Sequence, residues 1–431
     1  CEKALWISTR RDGAGTNKAS AGSAPATGAR PKAMPEKALT NLLVKPAGAD
    51  CNLRCAYCFY LDKCSLYPDS KNHRMSDEVL AAMIEQMMVL GGDNPSFGWQ
   101  GGEPTLMGLD FFRRAVAYQQ RFGHRGQGVG NGLQTNGLLI DKDWAEFLEQ
   151  YQFLVGLSLD GPQHVHDHYR RNAGGAGSWE RVVQTSRLLM GRGVAVNALV
   201  VVSDYSSQYP DDIYDFLRGE GYDFMQFIPI VERGGDGDGA TPWSLSADRF
   251  ARFFCRIFDR WVADFRDGWP SVSIRWFDSL MHTYVGLRAP ECPMAETCGV
   301  YLCVEHTGDC YPCDFFVEKQ WKLGNVLTDR LDHMLNGDKM TAFGQQKARL
   351  PSQCVNCHWY KHCFGGCTKD RVRDPRDQGL DHFCQGYKIF FEHADTTLKR
   401  LAQRWHNRQA VEAVRARREK KNARPDKRRR T

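Results

Sequence analysis

From about Leu42 the chain alternates between short apolar runs and longer stretches with apolar residues at every third or fourth position. The short runs are rich in β-branched and aromatic residues. They fall at Leu42–Val44, Phe97–Trp99, Gly132–Gln134, Phe153–Leu159, Val194–Val202 and Phe224–Val231, and they read as strands. Between them the period lengthens to that of a helix, at Ser76–Leu90, Leu109–Phe122, Lys142–Gln150, Trp179–Gly191 and Asp211–Gly219. The clearest is the first. Ser76 is suited to cap it, Asp77 and Glu78 favour its first turn, and Gly91 stops it. Val79, Leu80, Met83, Ile84, Met87 and Met88 share one face. Ala247–Phe265 reads as another long helix. A last helix is expected from near Lys388 into a basic tail.

Strand–helix units in succession build a parallel sheet, and about six of them predict an α/β fold with an open or partial barrel rather than a closed eight. Sites in such sheets lie beyond the carboxyl ends of the strands. The loop Cys51–Cys58 follows the first strand and falls at that end. Four regions are expected. Residues 1–36, rich in Ala, Gly, Ser and Thr, have no apolar period and are expected to be disordered. Residues 37–290 hold the strand–helix units. Residues 291–387 are loop-rich and dense in Cys, so bound metal is expected to substitute there for a large core. Residues 388–431 form the last helix and the tail.

Composition narrows this picture. The chain has 431 residues, 42% of them apolar, which suits a globular protein of two or three domains. No stretch approaches the roughly 18 apolar residues of a membrane span. The net charge is +6, yet Leu401–Thr431 carries 12 Lys and Arg against 3 Asp and Glu. The body is therefore slightly acidic, and charge gives nucleic acid no part in the core of the function. The run Arg415–Arg430 reads as solvated charge. The 16 Cys are clustered, and so many grouped thiols in a large chain point to metal ligation in a reducing cytoplasm rather than to disulfides.

The first group is Cys51-x3-Cys55-x2-Cys58. Three thiols within eight residues reach three corners of one metal centre. A four-iron, four-sulfide cube takes four ligands, so three leave one iron open, as catalysis at a metal requires. Zinc is the alternative, although its sites are usually built from Cys pairs. Ten more Cys lie between Cys292 and Cys384, including the array Cys354-x2-Cys357-x5-Cys363-x3-Cys367. Two four-Cys zinc sites are an open reading of these. Cys255 reads as a small buried hydrophobe, while Cys1 and Cys64 stand outside the arrays.

The run Cys51-Asn52-Leu53-Arg54-Cys55-Ala56-Tyr57-Cys58-Phe59-Tyr60 resembles the signature of radical S-adenosylmethionine (SAM) enzymes. Gln100-Gly101-Gly102-Glu103-Pro104, Leu133-Gln134-Thr135-Asn136-Gly137 and Ser158-Leu159-Asp160-Gly161-Pro162 follow at successive strand ends and agree with it. The resemblance implies that the open iron chelates SAM, whose cleavage yields a 5′-deoxyadenosyl radical. It implies a SAM site lined by Tyr57, Gly102, Ser158, Arg170 and Val231. Chemically, Glu103 suits a ligand ammonium and the Arg170 fork a carboxylate.

The later Cys resemble the SPASM extension of that superfamily, which carries two auxiliary [4Fe-4S] clusters. Carried over by position, Cys292, Cys298, Cys313 and Cys367 hold one, and Cys354, Cys357, Cys363 and Cys384 the other. Cys303 and Cys310 remain alternative ligands.

Taken in order from Leu42 to Tyr387, with Tyr311-Pro312-Cys313-Asp314-Phe315-Phe316 added, the motifs are similar to those of anaerobic sulfatase-maturating enzymes. That family oxidises a Ser or Cys of a sulfatase to Cα-formylglycine. The resemblance implies Asp314 as base, Tyr60 and Gln100 as positioners of the target, and an unfolded or nascent sulfatase as substrate. It also implies an electron donor such as flavodoxin or ferredoxin, and a monomer. Asp278 is the rival carboxylate, with a structural role as its alternative. Two other functions stay open: another SPASM-type peptide-modifying enzyme forming thioethers or epimerising residues, and an iron–sulfur electron carrier. The carrier would need neither an open iron nor the strand-end set.

Overall fold

The computed structural model describes residues 36–68, 72–235 and 239–422, and the side chains of residues 62 and 413–422 are outside that description. The expected disorder of 1–36 falls, apart from Glu36, outside the described residues, as do Cys1 and the tail beyond residue 422.

All six expected strands form: β1 (Asn41–Lys45), β2 (Ser96–Trp99), β3 (Gly130–Thr135), β4 (Leu154–Ser158), β5 (Ala195–Val202) and β6 (Phe224–Pro229). They are parallel and adjacent in chain order, with Leu42 opposite Phe97 and Leu133 opposite Val155. The crossovers carry α1 (Asp77–Leu90), α2 (Leu109–Phe122), α3 (Lys142–Gln150), α4 (Gln163–Tyr169), α5 (Trp179–Gly191) and α6 (Pro210–Gly219). In α1 the Ser76 hydroxyl accepts from the Val79 N–H at 3.2 Å, and the six apolar residues of its inner face are buried. The sheet stays open, which makes the fold the expected partial barrel.

Past β6 come α7 (Ala247–Ala263), a short β7 (Ser273–Ile274) on the β6 edge, and α8 (Arg275–Tyr284). The Cys-rich region departs from expectation. Its strand β8 (Leu302–Glu305) lies parallel to β1, with Leu302 opposite Leu42. Strands β9 (Asp309–Tyr311) and β10 (Gly324–Asn325) follow antiparallel, so this region continues the barrel sheet to ten strands. Its helices α9 (Leu331–Asn336) and α10 (Asp338–Ala348) bury Leu331, Leu335, Met340 and Phe343 in the main core. Metal is therefore not the region's substitute for a core; the region shares one.

Two further single turns, α11 (Ser352–Val355) and α12 (Tyr360–Cys363), carry Cys residues. The last helix, α13 (Cys384–Asn422), begins four residues before the expected start. Phe390, Phe391, Ala394 and Leu398 of α13 are buried, and Phe390 packs on Phe258 of α7 and Trp276 of α8. Among the described residues no helix is long and apolar enough to cross a membrane.

Candidate active site

The three-Cys loop leaves β1 through a turn at Pro46–Asp50. Its course is fixed by the end of β2. The Gly102 N–H donates to the Gly48 carbonyl at 2.8 Å, and the Glu103 N–H to the Asp50 carbonyl at 2.7 Å. A Cβ on Gly102 would stand 2.0 Å from the Asp50 oxygen, so only Gly permits this crossing. Cys51 feels the charge of Cys58, and Cys55 that of both Cys51 and Cys58, so the three thiols lie close together. Burial pushes Cys51 up to about 11 and Cys55 up to about 12. Thiols buried this way ionise when a metal displaces their protons, so the set fits a cluster. Cys51 Sγ also accepts from the Leu53 N–H at 3.4 Å and the Asn136 amide at 3.7 Å, bonds that orient a metal-bound sulfur.

Four strand ends hold this loop through two carboxylates. Asp160 Oδ2 accepts from the Tyr57 hydroxyl at 2.7 Å and Arg170 Nε at 2.8 Å; Oδ1 accepts from Arg170 Nη2 at 3.0 Å and the Val201 N–H at 2.8 Å. Burial is the largest influence on Asp160 and raises its pKa, but the charge and hydrogen bonds of Arg170, with His166 and the Val201 N–H, together hold the carboxyl below its ordinary value. The Arg170 fork expected to clamp a ligand is thus closed on Asp160. Glu103 is likewise committed inside the fold, to Thr105 N–H and Oγ1, Thr135 Oγ1 and the Asn136 N–H. Its expected role at a ligand ammonium gives way to a structural one: it joins the ends of β2 and β3. Ser158 ends β4 half-buried. Val231 is wholly buried, and its carbonyl accepts from Lys369 Nζ at 3.2 Å. Its neighbour Ile230 is the residue that packs on Leu53, Cys55 and Tyr57.

The downstream Cys resolve into two groups. Cys367 feels Cys292 and Cys298, Cys313 feels Cys367, and burial raises Cys292, Cys313 and Cys367, with Cys292 up to about 12. Cys354, Cys357, Cys363 and Cys384 line a single cavity, a cradle that suits a cluster. Burial raises Cys363 to about 12 and Cys384 to about 11. Cys303 instead packs with Ala49, Tyr60, Tyr311 and Val317, and Cys310 lies in the main core. Neither thiol joins a four-Cys group.

Between the three-Cys loop and the first four-Cys group stands Asp314, 9% exposed. Gln100 Nε2, from the end of β2, reaches its Oδ2 at 3.5 Å, and the Tyr301 hydroxyl donates to Oδ1 at 3.2 Å. Lys45, the last residue of β1, brings Nζ to 3.6 Å from Oδ2. Tyr60 lies alongside with Lys45 Nζ 4.4 Å above its ring, and its hydroxyl donates to Glu305. Lys45, Tyr301, Asn136 and Ile230 were not marked as functional by the sequence.

Asp278 is elsewhere. It accepts from Ser273, which pairs level with Phe224 at the amino end of β6, on the far rim from these groups. Burial, with a smaller push from Glu291, raises its carboxyl to about 7. The folded protein then keeps that proton up to about pH 7, while the unfolded chain releases it near pH 4. Stability from this group is present below about pH 4 and is lost as pH rises toward 7. Asp278→Asn is expected to raise Tm by roughly 4 °C at pH 8 and hardly at all at pH 4 in anaerobic thermal melts.

Comparison with known proteins agrees with this geometry. The family model for the radical SAM superfamily matches residues 46–217, and that for an iron–sulfur cluster-binding domain (SPASM) matches 292–358. The chain is 36% identical to a serine-type anaerobic sulfatase-maturating enzyme of Bacteroides thetaiotaomicron, over 86% of this chain and 92% of that one. It is also 36% identical to a cysteine-type enzyme of Clostridium perfringens, over 84% and 98% respectively. A solved structure of native anSMEcpe with bound AdoMet and Cp18Cys peptide matches with a TM-score of 0.77 and 35% identity, covering 85% of this chain and 99% of that one. Streptococcus suis SuiB, at 16% identity and a TM-score of 0.58, shares the fold.

Proposed function

We propose, from the premise that this chain belongs to the anaerobic sulfatase-maturating enzymes of the radical SAM superfamily, that the site around Asp314 oxidises a Ser or Cys of a sulfatase to Cα-formylglycine. Cys51, Cys55 and Cys58 hold the [4Fe-4S] cluster that binds SAM. Cys292, Cys298, Cys313 and Cys367 hold one auxiliary [4Fe-4S] cluster, and Cys354, Cys357, Cys363 and Cys384 the other. When bound, these groups supply the radical that takes a hydrogen atom from the target Cβ and a sink for the electron left behind. SAM lies against Tyr57, Gly102, Ser158, Arg170 and Val231. Arg170 acts there through Asp160, which holds Tyr57, and the buried Val231 acts through its backbone.

The chain's own chemistry is proton removal and positioning. Asp314 takes the proton of the target hydroxyl or thiol. Gln100 orients that group from the end of β2, and the Tyr60 ring walls it. The observation that carries this reading is the 3.5 Å approach of Gln100 to Asp314. It brings a strand end of the SAM half and the residue next to Cys313 to one point. A carboxylate this buried is out of reach of a residue held in a folded surface, and we take the substrate to be an unfolded or nascent sulfatase. We assign the enzyme to the cytoplasm as a monomer that receives electrons from a flavodoxin or ferredoxin.

Anaerobic incubation with SAM, dithionite and a sulfatase-derived peptide tests the reading. Mass spectrometry is expected to find aldehyde at the target Ser or Cys. SAM cleavage with a thioether or an epimerised residue in place of aldehyde would overturn it.

A further inference from the structure

The reaction above leaves the cation of the site without a task. Lys45 is 1% exposed at the end of β1. Its Nζ lies 3.6 Å from Asp314 Oδ2 and 4.4 Å above the Tyr60 ring. A Cβ on Gly101 would stand 3.2 Å from Lys45 Cδ, so the backbone beside Gln100 leaves the lysine its path into the site. At 3.6 Å the ammonium attracts the carboxylate without a hydrogen bond of ordinary length. Among the described residues no acceptor takes any of its three protons. An ammonium on a buried side chain whose neighbours are Asp314 and the Tyr60 ring at these distances keeps donors open to a further acceptor, and such a group calls for an explanation. An acceptor supplied by the substrate explains it. Asp314, Gln100 and Tyr60 mark where that acceptor sits.

We propose that Lys45 is a further catalytic residue. Its ammonium donates to the side-chain oxygen or sulfur of the target and stabilises the negative charge that grows there as the proton leaves. This role rests on the reading of Asp314 as base. The Cβ–H bond breaks homolytically, and its hydrogen goes to the 5′ carbon derived from SAM. The O–H or S–H proton goes to Asp314, the remaining electron goes to a bound cluster, and the C=O or C=S bond forms. Lys45 stays protonated throughout. A donor fixed at the site of developing charge acts without reorganisation, which is where such groups contribute most.

The test uses the reconstituted holoenzyme with SAM, dithionite and a peptide that the wild type converts. Lys45→Met and Lys45→Gln remove the charge, and Lys45→Arg keeps it. In the two neutral variants we expect peptide KM within about threefold of wild type and continued SAM cleavage. Aldehyde formed per 5′-deoxyadenosine falls by at least about tenfold. Lys45→Arg restores that ratio to within about threefold. An unchanged ratio in whichever neutral variant retains full iron would overturn the role. So would an Arg variant no better than the neutral ones. Absence of aldehyde from the wild type would instead overturn the assignment of the whole site.

Discussion

Replacing Cys51, Cys55 and Cys58 together with Ala is expected to abolish both SAM cleavage and aldehyde formation while about two thirds of the iron remains, since two of three four-iron clusters keep their ligands. The three thiols lie close together, and Cys51 Sγ accepts from the Leu53 N–H and the Asn136 amide. Cys64 gathers instead with Asp50 and His73. Chromatography of 5′-deoxyadenosine and an iron assay on anaerobic protein check both halves. Persistent SAM cleavage in the variant would place the SAM-binding cluster elsewhere.

The second large effect is at Asp314. Asp314→Asn keeps the shape and the contact with Tyr301 but cannot take a proton. SAM cleavage in the presence of peptide should continue, while aldehyde falls by about 10²–10⁴-fold, the usual contribution of a positioned base. The measurement is the yield of each product from one reaction. Wild-type aldehyde from the variant would refute Asp314 as base. Asp278 offers no substitute, because Ser273 holds it at the opposite rim of the sheet.

The six central strands and the helices between them were legible because each has one face in the core and a period to show for it. Ser76 and Gly91 bound α1 as cap and stop. The Cys sets were proposed from spacing and resemblance, and thiols of each set lie near one another. Other features were hidden for physical reasons. Strands β8 to β10 are two to four residues long, too short to show a period. Lys45 follows an apolar run and reads as a solvated strand end, since nothing local reveals that residue 314 arrives beside it. The Arg170 fork reads as free for a ligand until Asp160 is seen in it. One position separates Val231 from Ile230, and alternation along a strand end decides which faces the Cys loop. The start of α13 was misplaced because Cys384 is both a candidate ligand and the first helical residue.

The pairing of β8 with β1 dictates an order of assembly. Leu42 and Leu302 are opposite each other although the ribosome makes one long before the other. Until the later segment arrives, β1 presents a bare edge, and neither Lys45 nor the Cys51 loop has its final neighbours. Contacts so far apart in the chain close slowly and leave the early product prone to stick to other chains. A site built this way is completed only after the segment through Glu305 has been made. Cutting the chain near residue 290 should therefore yield insoluble protein rather than a working SAM-cleaving half.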